Sequence, residues 1–384
     1  MLRSVFTILL LVLSLHAGAQ NIDNNNLRVI HGPWLQNLGE NGVTIMWTTN
    51  KAAVPAVILT DSDGTNRTVR NSTDGIINGG GVLHKVRIEG LEAGAHYNYK
   101  PSSIEISRYQ PYKVYYGDTL SRKEYSFTTL DKDKKEIRAI VMNDIHEKSS
   151  LISDYLEETQ VNTADIVFYN GDIINYLQDE EQIYNGYIDS SVYYFASEIP
   201  FYMVRGNHET RGMLARNFKD YNDFPDNKFY YAFTHGPVHF VALDCGEDKP
   251  DENRYYFDLA DYDTYRLKQL EWLKDHIKSK EFKEAKYRVV VVHMPIIKAD
   301  KMGYGMQFLS DHFGPVLKEA GIDVLFAGHT HRVGYYTAEE SGFDYPVMVS
   351  SNKTFIELQA GKDGISAVMK DSSGKIVMEK TYKK

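Results

Sequence analysis

Residues 137–146 read IRAIVMNDIH: six residues of mainly apolar character, then an acid and an imidazole two positions apart. Ile137 to Met142 has the length and apolarity of a buried strand. Asp144 and His146 fall just beyond its end, where a polar side chain faces a cleft instead of needing a partner inside a core. The arrangement recurs. A strand over 166–169 runs into Gly171-Asp172. A strand over 201–204 runs into Gly206-Asn207-His208. A strand over 288–292 ends at His293, and one over 324–326 precedes Gly328-His329-Thr330-His331.

Between these strands the apolar spacing predicts helices over 149–158, 180–197, 265–276 and 313–320, with further strands over 230–233 and 239–243. Strands alternating with helices indicate a layered α/β domain with its polar clusters gathered at the carboxyl ends of the strands. From about Val347 the pattern returns to strands, with turns at Lys362-Asp-Gly and Asp371-Ser-Ser-Gly.

Taken together, the clusters form a donor set of imidazole nitrogens and carboxylate or amide oxygens. Such a mixture suits Zn, Mn or Fe better than Ca or Mg, which take all-oxygen shells. The order D-x-H, G-D, G-N-H-[D/E], lone His, G-H-x-H resembles the calcineurin-like metallophosphoesterase superfamily. Here it reads Asp144-Ile-His146, Gly171-Asp172, Gly206-Asn-His-Glu209, His293 and Gly328-His-Thr-His331.

The resemblance implies a four-layer α/β/β/α core and two metal ions. One ion takes Asp144, His146, Asp172 and His331; the other takes Asp172, Asn207, His293 and His329, with Asp172 bridging. It implies in-line attack on phosphorus by a hydroxide bridging the two ions. His208 is left to orient phosphate or protonate the leaving group, and Glu209 to orient a loop or ring. A binding module that kept this fold without activity predicts damage in at least one block, and every block is intact.

Residues 27–130 read as all-β, with strand candidates over 42–47, 54–59, 82–88, 97–100, 114–116 and 125–128. Six or seven short strands in such a span predict a β-sandwich. Leu91 to Tyr99, a turn followed by a Tyr-bearing strand, resembles the tyrosine corner of fibronectin type III modules. The segment as a whole looks like the N-terminal domain of purple acid phosphatases. That likeness stops at the metal blocks. Purple acid phosphatases carry D-x-G first, and a Tyr three residues after the Asp of G-D. Here His146 stands in the first block, Asn175 follows Asp172 by three, and Tyr176 comes one place later. No purple tyrosinate–iron centre is predicted.

The first residues, MLRSVFTILLLVLSLHAGAQ, combine Arg3, an apolar run from Val5 to Leu15 and Ala17-Gly-Ala19. That is the form of a signal peptide cleaved after Ala19. The run is shorter than the roughly 20 residues a bilayer span needs, and no Cys marks a lipoprotein anchor. The expected organisation is a signal peptide over 1–19, a sandwich over 20–130 and a catalytic domain over 131–384, exported to a periplasm or beyond the cell, most simply in a bacterium. The single cysteine, Cys245, excludes an intrachain disulfide.

A net charge of −9 argues against nucleic acid as a stable partner, since backbone binding needs clustered cations. A small phosphate ester remains compatible, because bound metal reverses the local field. The expected reaction is phosphomonoester hydrolysis; the alternative is phosphodiester or nucleotide hydrolysis at the same centre. Arg205 is expected to meet phosphate or a carboxylate. Tyr304, Tyr255, Tyr256 and Tyr262 lie in loops where selectivity would be built. The remaining histidines, His31, His84, His96, His235, His239, His276 and His312, are expected to be structural or surface residues.

Overall fold

The computed structural model describes residues 26–61 and 63–383, so the predicted signal peptide lies outside the described residues. In the β-rich region the two strands expected over 42–47 and 54–59 are one strand, Gly42–Thr60. Its first half pairs with Val29–Gln36 and Gly81–Glu89. Its second half pairs with Asn66–Val69 and His96–Gln110. The register shifts between Thr48 and Ala53. An irregularity of this kind lets a strand bend and pass from one layer of a sandwich to the other. Read as sequence, the polar stretch Thr48 to Lys51 looks like a loop.

Trp34 and Trp47 are fully buried, and the Trp47 indole donates to Ser103 Oγ at 2.9 Å. The Tyr97 hydroxyl accepts the Glu92 backbone N–H at 2.9 Å. That is the bond back along the chain expected of a tyrosine corner.

The α/β core has two six-stranded sheets. The first orders Phe201–Val204, Ile166–Asn170, Ile137–Met142, Thr354–Gly361, Gly364–Asp371 and Ile376–Tyr382. The second orders Tyr231–His235, Val238–Leu243, Tyr287–Val292, Val324–Ala327, Val347–Val349 and Gly334–Tyr336. In each sheet the strands that end in the polar clusters are parallel to their cluster-bearing neighbours, so those clusters emerge on one side.

Alternation along the strands builds the layers. In Tyr287–Val292, Val289 and Val291 join the core between the sheets. Val290 and Val292 join a separate cluster with Leu270 and Leu273 of helix Tyr262–His276 and Leu309, Phe313 and Leu317 of helix Tyr304–Ala320. Between the sheets, Phe168 meets Phe240 at 5.2 Å and Tyr202 stacks on Phe233 at 4.3 Å between ring centroids. The outer face of the first sheet is covered by helix Ser149–Thr159 and by residues 181–194. The result is helix, sheet, sheet, helix.

Two helices differ from expectation. The one predicted over 180–197 is Glu181–Ile183 and Asp189–Tyr194, joined by a π-helical turn at Tyr184–Ile188. Its wider turn serves the seam with the sandwich, where Tyr184 bonds Thr48 at 3.0 Å and stacks on His31 at 3.8 Å. The helix predicted over 313–320 begins at Tyr304; Gly303 and Gly305 made its first turns look like loop.

The seam is fastened along its length. Leu35 N donates to Ala196 O at 2.9 Å, Tyr202 donates to Leu38 O at 2.6 Å, and Tyr99 donates to Ser197 O at 2.6 Å. His31 Nδ1 lies 2.9 Å from Asp189. No helix among the described residues is long and apolar enough to cross a membrane.

Candidate metal centre

The polar clusters at the strand ends continue the ladder of their sheets for a few residues before turning. Asp144 N bonds Gly171 O at 3.0 Å, His146 N bonds Asp172 O at 3.0 Å, and Gly328 N bonds His293 O at 2.8 Å. These bonds force an unusual backbone. Asp144, His146, Asp172, His329 and His331 have φ of 55°, 51°, 54°, 68° and 54°. For residues bearing a Cβ this left-handed region costs about 1–2 kcal/mol each. Strain gathered on one set of side chains marks a place where function overrides local preference. The turns also require close approach at two glycines. A Cβ on Gly171 would lie 2.6 Å from the His293 ring, and one on Gly206 would overlap Asp172.

All eight site residues predicted from sequence come together. Asp144, His146 and His331 each offer one donor atom within 4.8 Å of the others, and so do Asp172, His293 and His329. A third, overlapping set is His146, Asp172 and His208. His146 Nε2 lies 3.1 Å from His331 Nε2, and His331 Nε2 lies 3.2 Å from Asp144 Oδ1. On the other side, His293 Nε2 lies 3.0 Å from Asp172 Oδ2, and His329 Nδ1 lies 3.0 Å from Asn207 Oδ1.

These spacings are those of ligands around shared ions. Two donors held about 2.1 Å from one ion, at about 90–109° to each other, lie about 3.0–3.4 Å apart. Asp144 Oδ1 and His293 Nε2 are buried and make no hydrogen bond of acceptable geometry. Buried polar atoms without partners are rare, and here both face the donor clusters. The two clusters therefore fit a pair of transition-metal ions.

Electrostatics point the same way. Burial lowers the pKa of His293, but the Asp172 carboxylate outweighs it and holds the imidazole up at about 10. Burial raises Asp172, yet His293 takes it well below the ordinary carboxylate range. A cation at this point would take over the role of that proton. Burial pushes His329 down to about 4, with His293 adding to the effect, and burial lowers His146. The Asp144 carboxylate, 3.2 Å from its Nε2, raises His331.

The next layer holds the donors in place. Glu209 is fully buried, and its carboxylate accepts four backbone N–H groups: Asp172 at 2.9 Å, Ile173 at 2.7 Å, Ile174 at 3.2 Å and Gly206 at 2.8 Å. It thus clamps the loop carrying Asp172 to the loop carrying Asn207. His293 Nδ1 is set by Asn170 O at 2.8 Å. Asn143 Nδ2 donates to Asp144 Oδ2 at 2.5 Å and is itself held by Ser350. His208 Nδ1 is set by Asn175 O at 2.7 Å, and Arg211 Nη1 lies 3.1 Å from His208 Nε2.

Across residues 137–333 the chain matches the profile of the calcineurin-like phosphoesterases. It belongs to that family. This member is 24% identical to purple acid phosphatase 21 of Arabidopsis thaliana over 264 residues, which is 65% of this chain and 52% of that protein. It is 24% identical over 177 residues to a probable glycerophosphodiester phosphodiesterase, GpdQ, of Arcobacter nitrofigilis, covering 44% of this chain and 57% of the relative. The chain thus spans about half the length of the curated relatives it matches. Its fold is that of purple acid phosphatase PPD1 from yellow lupin (Lupinus luteus) seeds, with a TM-score of 0.64 at 15% identity over 91% of this chain and 73% of the other.

Other predicted residues go elsewhere. Arg205 binds a carboxylate, Asp244, at 2.5 Å in a buried pair that Tyr265 joins at 2.7 Å. Tyr304 sits at a helix start with its hydroxyl on Asp263, so it is committed to structure. Tyr176 is half-exposed. His84 and His239 are buried structural residues, bonded to Thr49 at 2.8 Å and to Thr234 at 2.7 Å. Sequence reading missed Asn143, Asn170, Asn175 and Arg211. Of these only Arg211, three residues after His208, carried a visible signal.

Proposed function

We propose that the chain is a two-metal phosphohydrolase acting on phosphomonoesters. The observation that carries this is the convergence of seven donor side chains at ligand spacing, with buried Asp144 Oδ1 and His293 Nε2 left without hydrogen bonds. Asp144, His146, Asp172 and His331 would hold one ion. Asp172, Asn207, His293 and His329 would hold the other. The mixed N/O donors suit Zn, Mn or Fe. The ion pair, when bound, supplies a nucleophile from water at neutral pH and positive charge for phosphate oxygens.

The chain's own groups do the rest. Asp172 would serve both ions, its Oδ1 held in place by His208 N at 2.9 Å. His208 is no ligand in this division. Donation from Nδ1 to Asn175 O turns its Nε2 toward the open side of the centre. There Nε2, which accepts from Arg211 Nη1 at 3.1 Å in this structure, would orient phosphate and, once protonated and released from Arg211, hand a proton to the leaving oxygen. Arg211, held by Glu247 at 2.7 Å, presents a fixed N–H donor beside it. The overall reaction adds water across the P–O bond: phosphorus gains the water oxygen and the leaving group keeps the bridging oxygen and a proton.

The likeness to a probable phosphodiesterase favours phosphodiester hydrolysis as the second reading. The signal-peptide form of residues 1–19 supports an extracytoplasmic setting, periplasmic or secreted. The division into a sandwich over 20–130 and a catalytic domain over 131–384 is part of the same proposal, as is a small-molecule phosphate ester as the partner. The test is hydrolysis of an aryl phosphomonoester and an aryl phosphodiester by protein reloaded separately with Mn, Zn and Fe. Faster monoester turnover supports the proposal. Faster diester turnover replaces it with the second reading, and no turnover of either with any metal rejects both.

A further inference from the structure

Beside His208 lies a cavity of about 990 Å³, at the upper end of the size usual for small-molecule sites. Arg211 is on its wall and touches His208 Nε2 at 3.1 Å, so the cavity begins where a leaving group would depart. Its far wall is the loop carrying Tyr255, Tyr256, Phe257 and Leu259. Tyr255 is 62% and Phe257 81% exposed. Large apolar rings left open beside a polar cleft mark a surface that meets a ligand.

The loop is built to hold those rings out. Asn253 Oδ1 accepts Tyr255 N at 3.1 Å, and Leu259 N bonds Tyr256 O at 2.9 Å. The Asp251 carboxylate accepts Tyr262 N at 2.9 Å and Asp263 N at 3.1 Å, anchoring the loop to the following helix. Phe257 and Asp258 take φ of 49° and 60°, strain that only a well-determined loop maintains.

The charge is as pointed as the aromatic content. In a chain of net charge −9, the cavity is lined by Arg205, Arg211, Arg216, Lys219 and Lys249 against the single carboxylate of Glu247. Asp244 neutralises Arg205, while Glu247 and Asp248 neutralise Arg211 and Lys249. Arg216 and Lys219 make no ion pair with a carboxylate among the described residues; Lys219 bonds a backbone carbonyl, Asn227 O, and lies over the Phe229 ring at 4.5 Å. Planar rings next to uncompensated cations recognise a ligand that is itself planar and anionic.

We propose that this cavity is the leaving-group pocket of the metal centre and selects phosphate esters whose leaving group carries an aromatic ring and a second anionic group, as in a nucleoside bisphosphate. Tyr255 and Phe257 would stack the ring, and Arg216 with Lys219 would take the second anion. The assignment rests on the hydrolytic reading for its catalytic consequence, but not for binding.

Three substrates, each compared at the phosphate on a secondary alcohol, separate the contributions: adenosine 3′,5′-bisphosphate (3′-phosphate release, with adenosine 5′-monophosphate as the product followed), adenosine 3′-monophosphate and glycerol 2-phosphate. The expected order of kcat/KM for phosphate release is bisphosphate, then monophosphate, then glycerol 2-phosphate, about tenfold per step. Phe257→Ala and Tyr255→Ala would bring the two ring-bearing esters down toward glycerol 2-phosphate and leave that ester unchanged. Arg216→Ala would erase the step between bisphosphate and monophosphate. These side chains are on the surface, so the variants are expected to fold. Equal kcat/KM for all three esters, or variants that lower all three alike, would overturn the pocket while leaving hydrolysis intact. Calorimetric binding of adenosine 5′-monophosphate that is lost in Phe257→Ala would support the pocket even if no ester were hydrolysed.

Discussion

Replacing Glu209 by Gln should loosen the metal centre without touching a donor atom. Its carboxylate oxygens each accept two backbone N–H groups: Oε1 takes Ile173 and Ile174, Oε2 takes Asp172 and Gly206. A Gln amide keeps one such oxygen and presents an NH2 to the other two donors. Two buried N–H groups are then orphaned at about 1–3 kcal/mol each, or about 2–6 kcal/mol together. Relief of repulsion between Glu209 and Asp172, which with burial raises the pKa of Glu209, opposes this loss but does not refill the vacant donors. Native stability is only about 5–15 kcal/mol, so the deficit should be plain in a urea titration of chelator-treated protein. The same substitution releases the loops bearing Asp172 and Asn207, so metal retained through dialysis should fall with it. A Glu209→Gln protein within about 1 kcal/mol of the parent, retaining the same metal, would refute the clamp.

Other consequences follow from the same geometry. His208→Ala should depress turnover of an alkyl phosphate far more than that of a nitrophenyl phosphate, because only the poor leaving group needs a proton; equal loss on both would remove its acid role, and a steady-state comparison decides it. Arg205→Ala strands the buried Asp244 carboxylate and should cost about 3–5 kcal/mol, read as a lower urea midpoint. Burial holds His84 down at about 4 in the folded protein, against 6.5 for an ordinary imidazole. The unfolded chain therefore binds this proton first: stability is whole above pH 6.5 and is lost as pH falls toward 4. This one group contributes at most about 3 kcal/mol of that loss. His84→Gln should flatten the slope in that window, as measured by denaturation at a series of pH values.

The donor set was legible because each ligand is tied to a short apolar strand, and strand ends in an α/β sheet converge whatever the intervening loops do. What the sequence hid depends on distant partners. Nothing near Glu209 announces that four N–H groups from two loops will meet its carboxylate. Arg205 stands next to the Gly206 block, yet its partner Asp244 lies just past the end of strand Val238–Leu243 of the other sheet. The continuous strand Gly42–Thr60 looked like two, because polar Thr48 to Lys51 interrupt the alternation where the chain changes layer. The π-helical turn at Tyr184–Ile188 exists for contacts with the sandwich, which helical spacing cannot report.

The central claim is that two ions share Asp172. Metal content per chain, measured by plasma mass spectrometry on the parent and on Asp172→Asn beside phosphomonoester turnover, tests it most directly. The account predicts two ions in the parent, loss of metal from both clusters in the variant, and activity that falls with them. A variant that keeps two ions and full turnover, or a parent that hydrolyses the ester with no metal bound, would contradict it.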